Sequence, residues 1–420
     1  MSNPTSDILL LANGPGEVTT WVLPVVQALR QTLPQSRISV VLSPCPHSTG
    51  TEAGIAKRYP EVERVLPSQY FWRFLLTGNT PELWSWSSQG VVLFLGGDQF
   101  YAVVLAKRLG YRSVIYAEWT ARWLRWLDCF AIRHPRVAAG VPARWRGKLH
   151  LVGDLMADIP AANSTKNNNS PCIGLFPGSK AAKLTQGVPL TLAIADELHQ
   201  SQPKLQFVLP LAPTLTIAEL NRYAAPQHNP MMSVFKAPAV DLITEELPDG
   251  TIAHRWQTRQ GTMIELLSQY PVWDKIQACQ LCITTVGANT AQLAALGIPM
   301  LVLLPTQQLD AMRSWDGLPG LLANLPGVGT LFARLINWVM LKQNRLYAWP
   351  NIWAGQEIVP ELRGRLKPAE IANLAHHWLK NEPLRSQIRT QLRIVSSQPG
   401  AALKIARLVQ SELSLISHNR

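Results

Sequence analysis

Charge is scarce in this 420-residue chain: Asp, Glu, Lys and Arg make up 16% of it, against 47% hydrophobic residues. So low a charged fraction excludes a solvated, disordered chain and points to packed globular domains. Acidic residues are the scarcer sign, 27 against 39 Lys and Arg, leaving a net charge of +12. That surplus favours an anionic partner: a nucleotide, a nucleic acid or an anionic lipid surface. Long hydrophobic runs are missing too. No stretch approaches ~20 uninterrupted apolar residues, so no transmembrane span is expected. The start, "MSNPTSD", lacks the basic and then apolar pattern of a secretory signal, so none is expected there either. Cysteine is limited to five scattered residues, an odd number that fits a reducing compartment. "CQLC" at 279–282 is the lone CxxC, without a second half or a nearby His, and its apolar surroundings mark it as core. The G-x-x-x-x-G-K-[ST] spacing, an Asp-x-Asp pair, a zinc set and an RNP-like motif are all lacking.

What the chain does have is alternation. "DILLLANG" (7–14), "RISVVLSP" (37–44), "GVVLFLGGD" (90–98), "RSVIYA" (112–117) and "LDCFAIRHP" (127–135) are short apolar runs separated by helical patterns such as "QFYAVVLAKRLG". Strands that are apolar throughout and alternate with helices predict a parallel sheet covered on both faces. The polar "PAANSTKNNNSP" interrupts this, and the alternation then restarts with "CIGLFPGSK", "LQFVLPLAP", "QLCITTVG" and "IPMLVLLP". Length and pattern together predict an α/β chain of two Rossmann-like, doubly wound domains facing a cleft. The expected division is an N-terminal domain over 1–160, a linker over 161–171 and a second domain over 172–380. Helices over 381–420 are expected to complete it, crossing back toward the first domain.

In open α/β sheets, ligands bind beyond the carboxyl ends of the strands. Four loops there carry chemistry. "LFPGSKAAK" (175–183) follows a strand and opens a helix: Gly178 permits a sharp turn, and Ser179 and Lys180 can meet an anion at the helix N-terminus, with the charge of Lys183 added. "TTVGANTAQLAALGIP" (284–299) repeats the design with Gly287, Ala288, Asn289 and Thr290. Two such turns beside a basic surplus point to a bound pyrophosphate. "ANGPGEVTTW" (12–21) forces a tight turn through Gly14 and Gly16 and places Glu17 either as a catalytic carboxylate or as a partner for a helix dipole. In "LFLGGDQF" (93–100), Asp98 stands where it can take a proton from a hydroxyl or cap the next helix.

"LFPGSK", "TTVGANTAQLAALGIPMLV" and "WPNIWAGQEIVPEL" occur in the order and spacing of the lipid-A-disaccharide synthases, and the chain resembles a divergent branch of that family. "GPGE", "GGDQF" and "VGDLMAD" (152–158) are similar to its further runs. Lys183 and Gln292 depart from it, standing where glutamates are usual. The resemblance implies a GT-B glycosyltransferase that moves a sugar of hexose or N-acetylhexosamine type from a UDP-sugar to a lipid-linked acceptor, with no cofactor and no metal. It implies Asp98 and Glu17 as catalytic residues, and Gly178, Ser179, Lys180, Gly287, Ala288, Asn289, Thr290, Asn351 and Glu357 around the donor. Glu361, set one helical turn after Glu357, would brace it or face solvent.

Fifteen tryptophans, many near arginines, give the membrane side of this expectation its own basis. Trp123, Trp126, Arg122 and Arg125 in "EWTARWLRWLDC" would suit an anionic lipid surface and an acceptor site. "LFARLINWVMLK" (331–342) is a further membrane-contact candidate. The expected location is cytoplasmic, peripheral to the inner face of a membrane, with no nucleic-acid partner. UDP-N-acetylglucosamine 2-epimerases share the architecture and donor and are the nearest enzymatic alternative; a non-catalytic relative is another.

Overall fold

A computed structural model describes residues 6–45, 48, 50–158, 171–247, 250–268, 272–305, 345–396 and 398–418. The chain divides into two compact units, Met1–Pro160 with Ser397–Arg420, and Ala161–Ser396. The membrane-contact candidate 331–342 and most of the 161–171 stretch lie outside the described residues.

The first unit is built on seven parallel strands: β1 Asp7–Ala12, β2 Arg37–Leu42, β3 Arg64–Leu66, β4 Gly90–Phe94, β5 Arg112–Ala117, β6 Cys129–Ile132 and β7 Leu149–Leu151, in the order β3-β2-β1-β4-β5-β6-β7. Every residue of β1 is buried, as the unbroken "DILLLA" run requires of a strand covered on both faces. Its one charge, Asp7, is fully buried and completely satisfied: Arg37 Nε and Nη2 donate to it at 2.7 and 2.8 Å, and Tyr111 Oη at 2.8 Å. Leu9, Leu11, Val92, Phe94, Ile115 and Phe130 meet Phe71 and Phe74 in the core. The last helix, Ala401–His418, packs against β4, β5 and β6. Asp158, the final residue of "VGDLMAD", accepts from the backbone N–H groups of Gly400 and Ala402 at the start of that helix. Glu412 on it pairs with Arg112 of β5.

The second unit carries β8 Cys172–Phe176, β9 Gln206–Pro210, β10 Val240–Glu246, β11 Ile252–Thr258, β12 Met263–Leu267, β13 Leu281–Thr285, β14 Met300–Pro305 and β15 Glu361–Gly364, in the order β10-β11-β12-β9-β8-β13-β14-β15. Strands β12 to β15 pair in parallel, but β10 and β11 form an antiparallel edge that the apolar-run criterion passed over. Those strands are half-exposed and polar, and cross-strand pairs such as Arg255–Glu245 at 2.6 Å stabilise them. The helix Ala181–Ser201 contains Pro189, which leaves the Thr185 carbonyl without its helical donor. Asn229 Nδ2 replaces that donor at 3.0 Å. Helices Pro368–Lys380 and Glu382–Val395 remain with this unit, so the boundary falls later than residue 380.

Candidate functional site

In each unit the strand order reverses at one place, and the chemistry-bearing loops gather there. For the first unit that place lies between β1 and β4. The chain leaving β1 makes one helical turn, Pro15–Glu17, followed by a wide π-type turn, Val18–Val22. Such turns recur at functional sites because they displace a side chain from the regular helical path. Glu17 folds back, and its Oε2 accepts from Asn13 N at 3.1 Å and Gly14 N at 3.2 Å. Gly14 is buried and Gly16 exposed. Burial pushes the Glu17 carboxyl above its ordinary range against the pull of those two amides. Gly96, after β4, is where the carboxylate rests, since a Cβ there would overlap it.

Beside Glu17 stand three groups that the sequence reading left unassigned. Glu118 follows β5, Arg133 follows β6 and Asp154 follows β7. Arg133 is buried; its Nη1 donates to Glu118 Oε1 at 3.0 Å and its Nε lies 2.9 Å from Asp154 Oδ2. Burial pushes the Glu118 carboxyl up to about 7; Arg133 opposes the shift, and the charges of Asp154 and Glu17 add to it. Asp154 is raised by burial as well, with Arg133 opposing. The cluster therefore holds a proton near neutrality beside a fixed cation, the condition for acid–base work on a bound hydroxyl. For two of them the sequence signal was available: in "VIYAE" and "FAIR" a charge follows directly on an apolar strand.

Asp98 is exposed and caps the helix Gln99–Leu109, accepting from Phe100 N at 2.9 Å. The same helix organises the aromatic surface. Gln99 Nε2 donates to Thr120 O at 2.8 Å and its Oε1 accepts from Arg122 N at 2.8 Å, which ties the 118–126 loop down. Trp123 is held at φ 59°, a left-handed conformation costly for a bulky side chain. There it packs on Phe100, with centroids 4.9 Å apart, and stacks on Trp126 at 5.3 Å. Arg122 and Arg125 are exposed alongside. Trp72 and Leu76, 51% and 70% exposed on the helix Phe71–Thr77, add apolar surface to the same unit.

In the second unit the reversal lies between β8 and β13, and both glycine turns sit there. Gly178 has φ 113°, and a Cβ on it would lie 2.7 Å from Lys183 Cβ and 3.3 Å from Thr285 Oγ1, so only glycine fits. The helix Ala181–Ser201 passes so close beneath that a Cβ at Gly187 would overlap the Pro177 carbonyl oxygen. Ser179 and Lys180 are exposed at its start, with Lys180 as the N-cap residue. Lys183 Nζ reaches across to the other turn and donates to Val286 O at 2.6 Å. Gly287 caps the helix Ala288–Ala295, with Ala288 and Asn289 half-exposed.

Two residues expected around the donor are bonded within the second unit. Thr290 is buried; its hydroxyl donates to Gly287 O at 2.8 Å and accepts from Trp349 N at 3.1 Å, so it fastens the turn to the 349–354 helix. Asn351 is fully buried. Its Oδ1 accepts from Ile358 N and Val359 N at 2.8 and 3.0 Å, and its Nδ2 donates to Val359 O and Glu361 Oε1 at 2.8 and 3.0 Å. An amide side chain has no further capacity. Glu361 begins β15 and so does not stand one helical turn from Glu357; it is buried and accepts from Tyr347 N and Ala348 N, both at 2.8 Å. Glu357 is exposed, beyond the helix Trp349–Ala354.

No family model matches the chain. In sequence it is similar, at a distance, to the lipid-A-disaccharide synthases. It is 27% identical to the Geobacter sulfurreducens synthase over 41% of this chain and 36% of that protein. It is 22% identical to the one from Nitrosococcus oceani over 55% and 46% of the two chains. With the Trichlorobacter lovleyi enzyme it shares 24% identity over 67% and 59%. The chain thus spans about half the length of the curated relatives it matches. Among solved structures, the S. aureus MnaA-UDP co-structure is similar at a TM-score of 0.53, 11% identity and 98% coverage of both chains. A UDP-N-acetylglucosamine 2-epimerase gives 0.50 at 10% identity, covering 99% and 98%. These likenesses concern the fold: two Rossmann-like units of the GT-B architecture.

Proposed function

We propose that the chain is a glycosyltransferase that moves a sugar of hexose or N-acetylhexosamine type from a UDP-sugar to a lipid-linked acceptor at an anionic membrane surface. The observation that carries this is the pair of glycine turns at 178 and 287, joined by Lys183, at the strand-order reversal of the second unit. Amides at two helix N-termini and nearby lysines are suited to the negative charge that grows on a departing nucleoside diphosphate. Sequence similarity to the lipid-A-disaccharide synthases supports the same reading.

In the proposed reaction the acceptor hydroxyl attacks the anomeric carbon of the donor, the bond from that carbon to the diphosphate oxygen breaks, and UDP leaves. The hydroxyl proton passes to a carboxylate of the first unit. Glu118 is suited to this, since its proton affinity lies near neutrality and Arg133 holds it in place. Glu17 is the second carboxylate of the cluster, and Asp98, exposed after β4, is a further candidate. Lysines 180 and 183 take the role that a divalent cation has in metal-dependent transferases. Ser179, Asn289 and Glu357 flank the donor. The Phe100, Trp123 and Trp126 surface with Arg122 and Arg125 is suited to the lipid face.

The test is a screen of UDP-sugars for binding, then incubation with a total membrane lipid extract and identification of the product by mass. Release of UDP with a glycosylated lipid is expected. Interconversion of a UDP-sugar without any acceptor would overturn the transferase reading in favour of an epimerase. Tight binding of single-stranded RNA without binding of UDP would remove both.

A further inference from the structure

We propose that Lys183 meets the diphosphate of the donor directly, and that donor binding by this chain is therefore coupled to protonation of that amine. This rests on the reading that the second unit binds a nucleoside diphosphate. It goes beyond it by assigning a ligand and a control to a residue at which the chain departs from the synthases it resembles.

Two groups converge between the two turns, the Lys183 amine and the Thr285 hydroxyl. The Lys183 amine is fixed on Val286 O at 2.6 Å, and a Cβ at Gly287 would lie 3.5 Å from it. Its stem packs on Gly178. Thr285 Oγ1 is buried, 3.3 Å from the place a Gly178 Cβ would occupy, and has no hydrogen-bond partner among the described residues. A buried hydroxyl without a partner costs stability unless a ligand completes it. The lysines point the same way. Lys180 and Lys183 occupy the start of the helix Ala181–Ser201, where the peptide dipoles repel a cation. Two cations there weaken the helix, and the Val286 carbonyl that Lys183 meets carries only a partial charge; an anion between the turns would turn both into attractions. Among the described residues, the charge that acts on the Lys183 amine is the like charge of Lys180, and the 284–290 turn carries no charged residue.

Burial, reinforced by Lys180, pushes the Lys183 amine down from 10.5 to about 8. The sign follows. Below pH 8 the free protein already carries the ammonium. Above it the amine is neutral, and an arriving diphosphate must bring a proton with it. The terminal phosphate of UDP loses its last proton near pH ~6, so the ligand itself is fully ionised throughout this range. Affinity for UDP should fall by up to about tenfold per pH unit above 8, until the amine's bound-state proton affinity is reached.

The probe is UDP, titrated calorimetrically into the full chain in buffers of differing ionisation enthalpy. Uptake of about one proton at pH 9 and almost none at pH 7 is expected. Lys183→Gln should lose UDP affinity by about tenfold or more at pH 7 and lose the uptake, while uridine binding stays unchanged. Lys183→Arg, whose charge does not titrate, should retain affinity at pH 9 and show no uptake. If wild-type protein binds UDP equally at both pH values without uptake, and both variants match it, the assignment of Lys183 is overturned while the nucleotide-binding reading stands. If the wild-type chain binds no UDP at any pH, that underlying reading fails. Should Lys183→Gln fail to fold, proton uptake by wild type and its absence in Lys183→Arg still decide the matter.

Discussion

Gly96 and Glu17, on loops that follow neighbouring strands, are in direct contact: the carboxylate occupies the space that any side chain at Gly96 would take. The contact fixes where a buried acid points at the strand-order reversal of the first unit. Gly96→Ala should therefore displace Glu17, lowering transfer by about tenfold or more and stability by about 1–3 kcal/mol. UDP affinity, read in the other unit, should be unaffected. Steady-state kinetics beside a UDP titration checks this; unchanged turnover would remove Glu17 from the reaction.

Glu118 should set a pH dependence of opposite sense for rate and for stability. As a base it acts only when ionised, so turnover should rise through pH 7, and the rise should vanish in Glu118→Gln. For stability, the unfolded carboxyl ionises near 4.5 and the folded one near 7, so between these values the folded state holds the extra proton. Stability contributed by this group thus falls as pH rises from 4.5 to 7. Glu118→Gln should relieve that loss by about 2 kcal/mol between pH 5 and pH 8, as read by denaturant titration at both pH values.

Asp98→Asn separates the two roles open to that residue. Asparagine caps a helix as well as aspartate does, so melting behaviour should be unchanged. Loss of transfer with UDP binding retained would make Asp98 a catalytic carboxylate; full activity would leave it as the cap of Gln99–Leu109 alone.

Asn351→Ala should act on the fold. Four hydrogen bonds made by a fully buried amide are lost, and the Glu361 carboxylate loses one of its donors. A destabilisation of about 3 kcal/mol is expected. In protein that remains folded, UDP affinity should stay within about twofold of wild type. A selective loss of UDP binding without loss of stability would return Asn351 to the donor site.

The loops of the site were legible because they obey local rules. An apolar strand that ends in glycine and opens a helix is marked in "LFPGSK" and "TTVGAN" whatever lies around it. Roles within "WPNIWAGQEIVPEL" were not legible in the same way. Asn351 and Glu361 look like ligand groups in an apolar run, yet they bond to backbone seven or more residues away in sequence. The polar edge strands β10 and β11 escaped notice for a related reason: their stability comes from cross-strand pairs and not from an apolar run.

By itself the sequence determined the alternating α/β pattern, the restart after residue 171 and the turns at which ligands are expected, because apolar periodicity and glycine placement are properties of neighbours along the chain. Only the tertiary structure decided that Glu17 rests on Gly96, that Arg133 gathers Glu118 and Asp154, that Lys183 spans two turns, and that Asn351 is a clasp. Those facts depend on strand order and burial, which bring together groups separated by tens of residues and set the proton affinities that their chemistry requires.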